Sequence, residues 1–294
     1  MPAGVNRRDF LIGAGTLSGI GVTLATMRGA ELVTKPPRRT LLVIGAHYDD
    51  CEIGAGGLIV RAVKKGHRVV LLNVASDYST WRVTKGREKR IREQNLAKAR
   101  EMGVEKRFLE FGYQQVIQNL KTLRRIAEVV VDVKPDITLF HDRNELEQSP
   151  ADHAMVGILA EQAVRNADTI LGGLTVSYGR EMYAYEVYPQ REFRPDVFID
   201  IGEVLKPVIE TINFFRKLNA ESPQAERAGH LEATMKFYPG GEELPLTAWA
   251  ELKLGTARVR GHQCGLRFAE AYRALDGRTI GNRLLDEIVS QRTK

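Results

Sequence analysis

Thr40 to Ala46 reads TLLVIGA, a short, apolar, β-rich run with no alternation of polar and apolar positions. A strand of this kind is buried on both faces, so it requires helices above and below it. The pattern returns in His67–Val74 (HRVVLLNV), and further strands are expected at Phe108–Phe111 and Ile137–Phe140. Segments of helical spacing separate them: Ile53–Lys65, Val83–Met102 closed by Gly103, and about Val116–Val131. This β-α-β-α-β-α-β order predicts an α/β fold, a mostly parallel sheet with helices on both faces. Beyond it the sequence predicts strands at Met182–Val187 and Val197–Ile201, a helix near Val204–Leu218, loop-rich sequence, and short helices after Gly265. The expected organisation is a leader and linker over 1–39, a core over 40–205, and a C-terminal extension over 206–294 completing the same domain.

Composition narrows the class further. With 294 residues, 43% hydrophobic and 27% charged, the chain is neither disordered, coiled-coil, collagenous nor a polytopic membrane protein. Two cysteines, Cys51 and Cys264, exclude a disulfide framework and a four-cysteine zinc site. The net charge of +6 is concentrated in Arg82–Arg107, where basic residues alternate with acids along a helix. That is the pattern of a solvated face, so no nucleic-acid partner is expected.

The N-terminus reads Asn6-Arg7-Arg8-Asp9-Phe10-Leu11, followed by an uncharged, glycine-containing stretch to Met27. It resembles a twin-arginine signal peptide, which implies passage through the twin-arginine translocase to the periplasm or beyond. Thr23-Leu24-Ala25 offers a cleavage site, and an uncleaved segment would leave a membrane tether. Lys35–Arg39 reads as a linker.

In sheets of this class ligands bind beyond the carboxyl ends of the strands. The first strand leads into Ala46-His47-Tyr48-Asp49-Asp50-Cys51-Glu52, three acids and an imidazole that repel or crowd one another without a cation. His and Asp are suitable zinc ligands, and a neighbouring carboxylate suits a general base. The competing reading is a solvated acidic turn capping the next helix. The fourth strand leads into His141-Asp142 and then Ser149-Pro150-Ala151-Asp152-His153. There Ser149 reads as an N-cap, Pro150 as the first helical residue and Asp152 as the capping-box acid, with His153 in the first turn facing the protein. Gly54, Gly56 and Gly57 lack the third glycine of a dinucleotide-binding turn and are expected to serve helix-to-sheet packing.

His47-x-Asp49-Asp50-x-Glu52, with Asp152-His153 about a hundred residues later and an Arg92-Glu93 helix ending in Gly103-Val104, resembles the LmbE-like (PIG-L) family of N-acetylglucosaminyl de-N-acetylases. The resemblance implies a Rossmann-like fold and a Zn2+-dependent hydrolase, another divalent ion such as Fe2+ being possible, that removes the acetyl group of an N-acetylated sugar. It makes His47, Asp50 and His153 the metal ligands, Asp49 the general base, and Arg92 a contact to sugar hydroxyls. Three departures stand out. Tyr48 replaces the usual Pro, Pro150 replaces the first histidine of His-Pro-Asp-His, and Phe214-Phe215-Arg216 stands where a His-x-Ser-Gln segment is expected. His141 and His262, the latter in a glycine-flanked loop, are the candidates to replace the lost histidine in catalysis. The alternatives are a zinc amidohydrolase for another small amide and a catalytically weak carbohydrate-binding relative.

Overall fold

The computed structural model describes residues 37–81, 84–145, 151–173, 181–190, 192–220, 233–237, 242–275 and 284–289. The twin-arginine segment, Ser149 and Pro150 lie outside these residues. Pro36–Lys294 form one compact unit, and among the described residues no helix is long and apolar enough to cross a membrane.

Five strands run parallel: β1 (Thr40–Gly45), β2 (Arg68–Asn73), β3 (Glu105–Phe108), β4 (Ile137–His141) and β5 (Glu181–Tyr185). Two later strands, β6 (Val197–Asp200) and β9 (Ala269–Ala274), extend the sheet beyond β5, β9 lying antiparallel to both its neighbours. The spatial order is β3-β2-β1-β4-β5-β9-β6, and β7 (Ala233–Phe237) pairs with β8 (Glu242–Leu246) in a separate ribbon. The sheet is therefore mixed and mostly parallel.

Alternation along β1 shows why the run is apolar throughout. Leu41 and Val43 join the core on one face, and Leu42 and Ile44 join the core on the other. The first face carries α1 (Asp50–Lys64), α5 (Leu205–Ala220), α6 (Ala248–Gln263) and α7 (Leu284–Val289), through Leu58, Ile212, Leu254 and Leu285. The second carries α3 (Leu120–Val133) and α4 (Asp152–Leu171), through Ile126, Val130, Val156 and Leu159. The remaining helix, α2 (Glu88–Met102), ends at Gly103, whose left-handed φ of 73° closes it as the sequence predicts.

Two close approaches fix the helices that carry the site. A Cβ on Gly54 would run into the Tyr185 ring, and one on Gly157 would run into the His141 carbonyl oxygen. The first lets α1 lie against β5, and the second lets α4 lie against the end of β4. Where α1 kinks at Ala55 (φ −129°, ψ 21°), the chain's last hundred residues repair it. Gly57 N and Leu58 N donate to Glu270 at 2.7 and 2.9 Å, while Lys253 Nζ reaches both Glu270 and the Ile53 carbonyl.

The structure moves several expected elements. The third strand is Glu105–Phe108, not Phe108–Phe111. In place of loop and short helices around Gly265, sixteen residues of α6 precede that glycine, and strand β9 follows it. Both segments carry buried charges, which hides their apolar pattern. At the start of α4 the cap position is Ala151, with no side-chain cap.

The chain places β2 and β3 on one side of β1, then crosses to β4 on the other. The crevice beyond the carboxyl ends of β1 and β4 is thus the topological switch point, where ligands of open α/β sheets bind.

Candidate metal centre

The turn after β1 is not a solvated acidic cap. His47, Asp49 and Asp50 are only 8%, 5% and 3% exposed, and Asp49 makes no side-chain cap bond to α1. Backbone partners shape the turn: Ala75 N donates to Ala46 O at 2.8 Å, and the Asn73 amide donates to His47 O. The second motif arrives on the first turn of α4, which puts His153, 1% exposed, against the same crevice.

Three donor atoms converge there. His47 Nδ1 lies 3.3 Å from Asp50 Oδ2, His153 Nε2 lies 3.3 Å from His47 Nδ1, and His153 Nε2 lies 3.4 Å from Asp50 Oδ2. A tetrahedral ion with bonds of roughly 2.0–2.1 Å spaces its ligands about 3.3–3.4 Å apart. The donor set and its spacing therefore fit zinc and leave a coordination position uncommitted.

Asp152 has a larger task than the capping box assigned to it from sequence. Its Oδ2 lies 3.1 Å from His47 Nε2, and its two oxygens accept Gln114 N and Val116 N at 2.6 and 3.2 Å. A carboxylate fixed in this way holds the proton on His47 Nε2 and leaves Nδ1 as the nitrogen that would hold an ion. Glu52, by contrast, leaves the cluster and pairs with buried Lys106 at 2.8 Å.

The electrostatics follow from crowding. Burial works against a charged His47, but the carboxylates of Asp50 and Asp152 outweigh it and raise its pKa to about 10. Burial likewise opposes ionised Asp50, and the His153 and His47 charges hold it well below the usual carboxylate range. Asp49 goes the other way, pushed up to about 8 by burial and then by the Asp50 charge. Its Oδ2 is buried and has no hydrogen-bond partner among the described residues.

Of the remaining candidates only His141 reaches this cluster, its Nε2 3.2 Å from Asp50 Oδ2. Arg92 bonds Glu110 at 3.0 Å and lies over the Phe108 ring, at the β3 edge. His262 stands exposed in the last turn of α6 rather than in a loop over the site, a correction to the sequence reading. His141 is completely buried behind the donors, accepting Ala46 N at 3.0 Å. Half-buried aromatics frame the opening instead: Tyr113 is 5.0 Å from the His47 ring and stacked on Trp81, and Tyr188 lies parallel to His153 at 6.0 Å. Two departures from the expected pattern meet each other, since Tyr48 packs against Phe215 at 5.9 Å within a buried aromatic cluster.

Comparison with known proteins agrees with this geometry. Residues 42–164, which hold every proposed ligand, match the family described as PIG-L, GlcNAc-PI de-N-acetylase. That match spans a little over two fifths of the chain and is a likeness to the family. The chain is 29% identical to 4-oxalmesaconate hydratase of Pseudomonas putida, over 57% of this chain and 69% of that one. It is 27% identical to diacetylchitobiose deacetylase of Thermococcus kodakarensis, over 59% of this chain and 68% of that one. Among solved structures, N,N'-diacetylchitobiose deacetylase from Pyrococcus horikoshii has the same fold, with a TM-score of 0.63 at 20% identity, covering 81% of this chain and 84% of that one. The relatives this chain resembles in sequence are thus named for both a deacetylase and a hydratase activity.

The raised His47 pKa sets a direction for metal binding. The metal-free imidazole holds its proton throughout the neutral range, so an ion must displace it, and affinity falls as pH falls. Zinc affinity measured by chelator competition should rise roughly tenfold per pH unit, per proton displaced, between about pH 6 and about 8. An affinity that does not change with pH contradicts the donor assignment.

Proposed function

We propose that the protein is a zinc-dependent hydrolase that removes the acetyl group from an N-acetylated amino sugar. The observation that carries this reading is the free Oδ2 of Asp49, buried beside three donors spaced for one ion. A divalent ion held there supplies Lewis-acid activation of water and of the amide carbonyl. Asp49 takes the proton that the attacking water gives up and returns it to the departing amine. Burial and the Asp50 charge raise the Asp49 pKa, which suits a carboxyl that must carry a proton between water and amine, and a bound ion's positive charge would lower it again. Asp152 keeps His47 oriented through the cycle. The aromatic frame of Tyr113, Trp81 and Tyr188 suits the apolar face of a sugar ring. Support also comes from relatives named for diacetylchitobiose deacetylation.

A second reading has its own observation. The 29% identity to a hydratase, together with Pro150 in place of the usual histidine, favours addition of water to a carbon–carbon double bond at the same centre. Release of free amine from N-acetylglucosamine derivatives, set against loss of an enoic-acid chromophore, separates the two.

The location expected from Arg7-Arg8 belongs to this proposal and places the substrate among exported or envelope sugars. Replacing both arginines by lysine should hold the protein in the cytoplasm, and unchanged export sinks the twin-arginine route.

Asp49→Asn keeps the size of the side chain and removes the proton acceptor. The variant should retain zinc by elemental analysis and lose amine release by roughly 10²–10⁴-fold. Loss of zinc and activity together would make Asp49 a ligand, and full activity would remove it from the reaction.

A further inference from the structure

Glu145 lies in the turn after β4 and was not singled out by any sequence pattern. It is completely buried, together with His141. We propose that Glu145 is the positioning residue of the metal centre, one carboxylate that fixes the ring tautomers of both His141 and His153. The inference rests on the metal-centre reading above and assigns a task to a group outside the donor set.

Ala46 N–H is buried and donates to His141 Nε2 at 3.0 Å. An imidazole nitrogen that accepts that bond carries no proton; Asp50 Oδ2 lies 3.2 Å from the same nitrogen but would be committed to a bound ion, which leaves the His141 proton on Nδ1. That nitrogen lies 2.7 Å from Glu145 Oε2 and donates to it. The His141 and His153 rings are stacked, with centroids 4.3 Å apart and planes at 14°. Stacking turns the Nδ1 edge of His153 toward the same oxygen, 3.6 Å away.

His153 Nδ1 is itself a buried nitrogen with no hydrogen-bond partner among the described residues. An approach of a few tenths of an ångström makes Glu145 Oε2 its acceptor. A proton held on Nδ1 leaves the Nε2 lone pair for the ion, the usual carboxylate–histidine–metal relation. Glu145 is fixed for this by its second oxygen, which accepts Val187 N at 2.9 Å, and by its own N–H, which donates to Asp142 O at 3.2 Å. One side chain thereby ties the ends of β4 and β5 to the first turn of α4. His141 is then a spacer that backs His153 rather than the substitute catalyst expected from sequence.

The isosteric change Glu145→Gln tests this. Glutamine keeps an oxygen for Val187 N–H but sets an NH₂ group where Oε2 was. That donor drives the ring protons to Nε2, against Ala46 N–H in one ring and against the ion in the other. Zinc affinity of the full chain, by chelator competition, should fall roughly 10–100-fold while the metal-free far-UV spectrum stays that of wild type. Long-range ¹H–¹⁵N spectra should show wild-type His141 protonated on Nδ1, which is resolvable among six histidines. Unchanged zinc affinity in the variant overturns the proposal, as does an Nε2-protonated His141 in wild type. Should the variant fail to fold, the wild-type spectrum still decides. A wild-type chain that binds no zinc would sink the metal centre itself, while the His141 tautomer would still report on Glu145.

Discussion

A single carboxylate oxygen organises this molecule. Asp50 Oδ2 accepts His47 N at 2.6 Å and lies 3.2–3.4 Å from one nitrogen each of His141, His47 and His153. Burying an anionic oxygen with so many lone pairs around it is costly unless a cation, proton or metal, sits among them. The ends of β1 and β4 and the first turn of α4 converge on that requirement. The raised pKa of His47 shows how strongly this pocket favours positive charge.

Everything that holds these groups in place is remote in sequence. Lys253 and Glu270 complete the backbone bonds that α1 lacks at its kink, a few residues beyond Asp50. Lys106, paired with Glu52, donates to the Tyr48 carbonyl at 2.5 Å and sits over the Phe215 ring. Tyr48 and Phe215, two departures from the expected motifs, pack on each other in a buried aromatic cluster. The site turn is thereby anchored by α5 rather than by proline stiffness.

Much of this was legible in the sequence because it depends on local pattern. Continuous apolar runs gave β1 and β2, since both faces of those strands are covered. His47, Asp50 and His153 stood out because each follows a strand end, where the fold gathers ligands. What stayed hidden depends on pairs far apart in the chain. Charged β9 and α6 did not read as core elements, because Glu270 and Lys253 neutralise each other only in the folded state. Asp152 looked like a cap because its partner His47 is 105 residues away. Glu145 sits in a turn with no periodicity, and His141 and His262 could not be told apart as catalytic candidates without knowing their depth.

His47, Asp50 and His153 are placed to hold one ion at the switch point between β1 and β4. Anomalous diffraction at the zinc absorption edge, on crystals of the zinc-loaded chain, tests it most directly. One strong peak is expected about 2 Å from His47 Nδ1, Asp50 Oδ2 and His153 Nε2. A peak between His141, Glu145 and His153 instead, or none at saturating zinc, would contradict it.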